Sequence, residues 1–566
     1  MIKTYLKWKV FRQTAVTCKR KTEQIISKMK ERIYIKEWLE LKPYETQTIT
    51  DDYYLKLSNN IKVKLLNNHF DILSQYFDTE YINILSCFIT SYFEDIISET
   101  NIWTSFVELH QEFYNKKLPF YDTKDYYEGE INEQDLRFLF WYFFNTAQNE
   151  KFINSGNYFF SEMASDIMEI LDEAYEYAPE NKVLKKYYKI DKTESDFYVA
   201  RNLIDTILFK TYLFYPDTLL DLHDNEAELI EDNKDKENII HYLNENRDAE
   251  LHKNYTRLLS LKGKEWVAKI IGKGHSLSTD FLNLSKKIRG FFLYKGQDDN
   301  NIFIEHIASS KKFNLTKKSF DHFGNLKEID TILFMGIAQW KDEWWFSGIY
   351  FQNDFNPDLI LDEKNSIESR MAVNFLDHQT EDVDKTIKLQ FDAFKDFNNG
   401  SQIAFMPSDR IDEFIRNYTE HFNHSLNLTK KEREEAKKRA RKDGFFDTND
   451  NKTQNYSKVS ETGLVFFNPK SGVEIALAIN SAFPLLENKF FNKQDSREHI
   501  MRLFFAEELS TELAMYCINN CKTNLPFFKA GEGKKLLNDI DFLLRFWKKN
   551  NYHTVPTITF TGKSDG

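Results

Sequence analysis

The chain has 566 residues, a formal net charge of −12 and a pI near 5.7, a length that exceeds one core and implies three or four domains of roughly 100–200 residues each. The acidity argues against a protein that coats nucleic acid electrostatically, four cysteines are too few and too scattered for a disulfide framework, and no apolar run approaches the roughly 18–20 residues of a membrane span. With only 18 Gly and 10 Pro the chain should hold long helices and few tight loops; its 50 Phe and 29 Tyr, beside abundant Lys, Asn and Ile, read as codon bias before an aromatic binding role.

Residues 1–28 carry eight basic side chains against one acidic residue, Glu23. Three readings fit this basic extension: a start codon upstream of the true one at Met29, a basic tail for an acidic partner, or an ordinary amphipathic helix. From Asp51 to Tyr215 apolar residues recur at three and four, as in Leu55, Ile61, Leu65 and Phe70, so 29–215 is predicted to be a helical domain. Leu136–Phe144 is apolar on nearly every side and should be a central, buried helix. Nine acidic residues against two lysines fill Pro216–Asn238, the pattern of a solvated linker or weak helix, with an acidic docking segment as the functional alternative; with a connecting helix it forms segment 216–275.

Between Gly290 and Phe351 the period changes to two. Ile302–Ile307, Lys312–Thr316, Thr331–Ile337 and Trp344–Phe351 are β-branched and aromatic runs separated by turn clusters, which predicts a small β-barrel, SH3-like or similar, over 276–356. Segment 357–566 alternates and is predicted to be a mixed α/β domain. Its strands are Gln402–Met406, Gly463–Phe467 and Val555–Phe560, with Val473–Asn480 open to either assignment. The fold class is therefore multidomain and mainly α. Thr429 and Glu432 form a capping box that opens a helix ending near Gly444, with acidic residues at its start and basic ones at its end, as the macrodipole favours.

The chemistry that such residues could carry is thin. Gly531-Glu-Gly-Lys-Lys535 lacks the first glycine and the hydroxyl of a phosphate loop, and Gly272-Lys-Gly274 lacks a third glycine. No nucleophile elbow or His-Glu-x-x-His pair occurs. His421 and His424 lie three apart without an evident third ligand, and Cys517 and Cys521 supply two thiols where zinc takes about four ligands. No catalytic, cofactor or metal residue is predicted, and no cofactor. The candidate binding surface is Trp340, Trp344 and Trp345 of the barrel with the basic stripe Lys430, Arg433, Lys437 and Arg441.

Ile33-Tyr-Ile-Lys-Glu-Trp38, Lys42-Pro-Tyr44, Asp52-Tyr-Tyr54, Trp344-Trp-Phe-Ser-Gly348 and Phe467-Asn-Pro-Lys-Ser-Gly472 resemble segments of an uncharacterised family of bacterial cytoplasmic proteins known only as a domain of unknown function. The resemblance runs from about Met29 to the end and implies a cytoplasmic location but no activity.

These readings lead to a non-catalytic intracellular binding or adaptor protein whose partner is another protein, with no membrane association. The first alternative is a nucleic-acid-associated factor using the 429–444 helix and barrel aromatics, since exposed rings stack bases. The second is an enzyme whose site is assembled from distant segments.

Overall fold

The three- and four-residue spacing of apolar side chains is realised as helices. The computed structural model describes residues 31–148, 152–234, 239–366, 369, 370, 372, 373, 380–426, 429–432, 434, 435, 456–529 and 531–554. The basic extension 1–28 and the predicted strand Val555–Phe560 lie outside them. Two units emerge: Met1–Asp224 with Trp266–Ser278, and Asn225–Glu265 with Thr279–Gly566.

The first unit holds α1 (Ile35–Leu39), α2 (Asp51–Tyr76), α3 (Thr79–Ser98), α4 (Ile102–Tyr114), α5 (Glu133–Ala147), α6 (Tyr158–Tyr175), α7 (Lys182–Tyr187) and α8 (Phe197–Phe209). As expected, Leu136 and Phe138–Phe144 are buried on every side of α5. The buried acidic groups of this unit are met by donors, because an unpaired buried charge is costly. The Lys42 ammonium meets the Glu94 carboxylate, and Asp95 accepts from the Trp103 amide at 2.7 Å and the Tyr212 hydroxyl at 2.9 Å. Asp135 accepts from the Tyr92 hydroxyl at 2.7 Å. Burial lifts the Asp135 carboxyl to about 7, against the opposing pull of Tyr92, Tyr126 and Trp103.

The acidic segment is not an extended linker where it is described. Tyr215–Leu219 is one buried π-helical turn, and α9 (Leu220–Asp232) continues from it. Proline in the first turn costs no hydrogen bond, and Leu219 and Leu222 anchor the segment by burial; Asp217 is buried with the π-helical turn, whereas Asp224, Glu228, Glu231 and Asp232 lie exposed on α9. Residues 235–238 lie outside the described ones.

The second unit takes up the chain at Asn225 within α9 and holds α10 (Ile239–Lys253); α11 (Gly263–Ile270), most of which belongs to the first unit, and α12 (Ser278–Asn283) follow in the chain. Next come β1 (Ile288–Gln297), β2 (Asn301–His306), β3 (Lys312–Thr316), β4 (Ile332–Trp340) and β5 (Glu343–Asn353), close to the predicted runs. They form a five-stranded sheet in the order β1-β2-β3-β5-β4, closed by antiparallel pairing of β4 with β1. β3 and β5 meet in parallel at Leu315 and Trp344. Alternate residues, among them Phe292, Ile304, Phe313, Leu315, Met335 and Ile337, fill the interior.

Helices α13 (Pro357–Asn365), α14 (Thr380–Phe397) and α15 (Ile411–Ser425) follow, with β6 (Ile403–Pro407) between the last two. β7 (Thr462–Asn468) and β8 (Gly472–Leu477) complete a three-stranded antiparallel sheet of order β6-β7-β8. The ambiguous Val473–Asn480 is thus mostly strand. Beyond it lie α16 (Ser496–Phe505), α17 (Thr511–Cys521), α18 (Pro526–Lys529), α19 (Gly531–Leu536) and α20 (Ile540–Trp547). Period-two alternation splits the core in two. Ala404, Met406, Val465 and Phe467 pack on α14 and α15, whereas Ile403, Leu464, Phe466 and Ala476 pack on α16 and α17.

Candidate functional site

The three-stranded sheet is sandwiched between helices on both faces, yet among the described residues β6 has a neighbour on one side only. Its register fixes which backbone groups are left over. The Phe467 amide donates to the Gln402 carbonyl at 3.0 Å, and the Ser408 amide to the Glu461 carbonyl at 3.0 Å. In an antiparallel ladder bonded and non-bonded pairs alternate, so Ala404 and Met406 bond to β7 while Ile403, Phe405 and Pro407 turn outward. Ile403 is capped locally, its carbonyl accepting from Asn398 Nδ2 at 2.9 Å and Ser401 Oγ at 2.8 Å. Pro407 has no N–H to offer. The free edge therefore reduces to the N–H and C=O of Phe405 and the C=O of Pro407.

A groove of about 990 Å³ runs along this edge. One wall comes from α14 and α15 with Lys395, Arg410, Glu413, Phe414 and Asn417; across from it stand Tyr516 of α17 and Glu487. Arg410 and Glu413 neutralise each other at 2.8 Å. The α14–α15 wall therefore keeps the positive charge of Lys395, and the opposite wall the negative charge of Glu487. Burial, reinforced by the charge of Glu487, raises the Tyr516 phenol above its usual range, so it stands as a neutral hydroxyl. Backbone edge, two weakly charged walls and aromatic rings are equipment for holding an extended chain.

The residues expected to form a binding surface are placed otherwise. Trp340 is 1% exposed and packs on Phe281 of α12 at 5.1 Å; Trp345 is 3% exposed. Trp344 is half-buried and points into the closed sheet, edge-on to Phe313 at 4.9 Å. The alternation 344/345/346 holds, but neither face of that triplet is an open platform. Trp345 shares its face with Ser347, whose hydroxyl donates to Asp248 of α10 at 2.8 Å. Lys430 is exposed, and the Thr429–Glu432 capping box is present in both directions, at 2.7 and 3.3 Å. Arg433, Lys437 and Arg441 lie outside the described residues.

The segment Trp344-Trp-Phe-Ser-Gly348 belongs to a fastener. β5 bulges opposite Met335 and Gly336, and Gly348 takes φ +93, a conformation glycine adopts without a Cβ penalty. The Ile349 amide is met there by Glu245 of α10 at 3.0 Å. Lys287 bridges Glu245 at 2.9 Å and Asp248 at 2.6 Å, with 5%, 8% and 1% of the three side chains exposed. A Cβ at 348 would overlap the Glu245 carboxylate, and one at 336 the stem of Lys287. Phe467-Asn-Pro-Lys-Ser-Gly472 is similarly structural: Asn468 is buried in the β7–β8 turn, accepting from the Lys470 amide at 2.9 Å.

Among the described residues no group of three His, Cys, Asp or Glu is placed to hold a metal. His421 instead pairs with Asp396 at 3.1 Å, and Cys517 and Cys521 are both buried in the core. The groove was missed because Tyr516 and Glu487 are some 70–120 residues from the other wall in sequence, and edge status follows from strand order alone. The available signal was Pro407 ending a strand, since proline is confined to edges, strand ends and bulges.

Residues 32–304 match the model of a family described as "Protein of unknown function (DUF3843)". This covers the first unit's helices and the sheet as far as β2, and includes Ile33–Trp38, Lys42–Tyr44 and Asp52–Tyr54 of the resembling segments; Trp344–Gly348 and Phe467–Gly472 fall beyond it. No curated protein and no solved structure matches the chain. No described helix is long and apolar enough to cross a membrane.

Proposed function

We propose that the protein is a non-catalytic binding or adaptor protein that holds an extended segment of another protein in the groove beside β6. The observation that carries this reading is the floor of the groove: a strand edge with the Phe405 amide and carbonyl turned outward. A free edge templates pairing with another chain. The test places a photo-crosslinking amino acid at Glu413, an exposed residue of the groove, in the full chain, in the native cell, and identifies the adduct by mass spectrometry. A defined partner that is lost on Asn417→Trp, which fills the groove, supports the reading. A partner whose capture is indifferent to Asn417→Trp overturns it.

A second reading, association with nucleic acid, draws on the closed sheet. Of small five-stranded barrels, the order 1-2-3-5-4 with β3 parallel to β5 fits the oligonucleotide-binding type better than the expected SH3-like one. On its outer face Phe291, Phe334 and Phe351 stand in one row across β1, β4 and β5, with the Arg289 guanidinium 5.0 Å from the Phe334 ring. Salt-sensitive binding of a single-stranded oligonucleotide, weakened by Phe351→Ala, would favour this reading. Unchanged binding, or none at low salt, removes it.

A further inference from the structure

We infer that the groove recognises its occupant by strand addition on Phe405, and that the occupant is a peptide strand carrying an acidic and a basic side chain at odd spacing. The inference rests on the binding reading above and specifies its chemistry.

The backbone sets the register. Among the described residues only the Phe405 N–H and C=O and the Pro407 C=O remain without a partner on the outer edge, since Ile403 is already engaged by Asn398 and Ser401 and Ala404 and Met406 face β7. A strand laid antiparallel to β6 can exchange two hydrogen bonds with Phe405 and donate a third to Pro407. The contact is short, and the proline bars it from lengthening with further donors. Affinity then has to come from side chains as well, in the manner of strand-adding recognition modules.

The walls set the side chains. Successive residues of a strand point to opposite sides, so the residue paired with Phe405 shares its face and turns toward Tyr516 and Glu487, while its two neighbours turn toward Lys395, Phe414 and Asn417. Charge complementarity places a carboxylate toward Lys395 and an ammonium or guanidinium toward Glu487. Two such groups can be satisfied together only when they are an odd number of positions apart. A two-fold pairing of β6 with β6 of a second copy brings like walls together, Lys395 to Lys395 and Glu487 to Glu487, which disfavours self-association at this edge.

The experiment uses the full chain and fluorescein-labelled eight-residue Val/Thr peptides with one Glu and one Lys, either adjacent or two apart, followed by fluorescence anisotropy. The adjacent pair is expected to bind about tenfold more tightly than the pair two apart. Backbone N-methylation of the better peptide should weaken binding tenfold or more at alternate positions, whose N–H groups face β6, and little at those between. Glu487→Lys, an exposed change that leaves the fold alone, should shift preference to a peptide with Glu at both positions. A flat N-methyl scan with binding still lost on Asn417→Trp overturns strand addition and leaves the groove as a binding site. Binding indifferent to Asn417→Trp, or none by any peptide to millimolar concentration, overturns both. Light scattering that shows a dimer dissociated by Asn417→Trp overturns the peptide in favour of a second copy.

Discussion

In the five-stranded sheet each strand has two neighbours, whereas in the three-stranded sheet β6 and β8 have one each among the described residues, and β6 is the one that borders a groove. Closure removes edges, and the closed sheet uses its outer surface for attachment: α10 is clamped to the β5 bulge through Lys287, Glu245 and Asp248. The open sheet instead buries both faces under helices and leaves one edge along a groove. One sheet thus consumes its backbone hydrogen-bonding capacity internally and the other keeps a small part of it available. The aromatic triplet that looked like a binding platform lies in the closed sheet, and the open backbone lies in the other.

The comparison breaks most visibly at the clamp. Lys287→Met leaves Glu245 and Asp248 buried without the ammonium that bridges them, Glu245 keeping the Arg289 guanidinium at 3.0 Å, and a buried pair broken from one side costs about 3–5 kcal/mol. Urea denaturation of the full chain measures it, and a loss below ~1 kcal/mol would show that water reaches the clamp. Trp345→Ala should follow at roughly 3–4 kcal/mol, with Trp344→Ala smaller because its ring is half-exposed; the reverse order would mean that the two faces of β5 have been exchanged.

A pH series sharpens the same contrast. His306, inside the closed sheet beside Phe292 at 5.2 Å, is held by burial to about 4, below its unfolded value of about 6.5. The unfolded chain therefore takes up this proton first. The stability His306 supports is present above about pH 6.5 and is lost as pH falls toward 4, by up to roughly 3 kcal/mol. His306→Phe should flatten that acid limb of the denaturation midpoint, and an unchanged slope would place its origin elsewhere. Asp135 in the first unit works in the opposite sense. Its carboxyl is raised to about 7, so its contribution is full below the unfolded carboxylate value and fades as pH rises through 7, and Asp135→Asn should remove that dependence.

The smallest effect belongs to the groove. Asn417→Trp and Glu487→Lys alter exposed walls, so each should change stability by no more than about 0.5 kcal/mol. A larger loss in urea denaturation would mean that the groove is part of the fold's support.

Much of the secondary structure was legible because periodicity is local. The change from a three-to-four spacing before Tyr215 to alternation after Gly290 marks the passage from helices to strands, and Thr429 with Glu432 specified a helix start that the hydrogen bonds reproduce. Local pattern also placed Trp344 and Trp345 on opposite faces of β5. It could not tell that both faces would be covered, because the face Trp345 shares with Ser347 meets Asp248 of α10, about 100 residues earlier in the chain. The acidic run after Pro216 stayed open between linker and weak helix for a related reason: like charge disfavours packing only when no neighbour accepts the apolar side, and Leu219 and Leu222 found one. The sequence by itself determined helices, strands, caps and the facing of side chains, all set by interactions a few residues apart. Strand order, the closure of one sheet and the free edge of the other were decided by tertiary structure alone, since which strand lacks a partner depends on pairings across some 60 residues, as between Phe405 and Leu464.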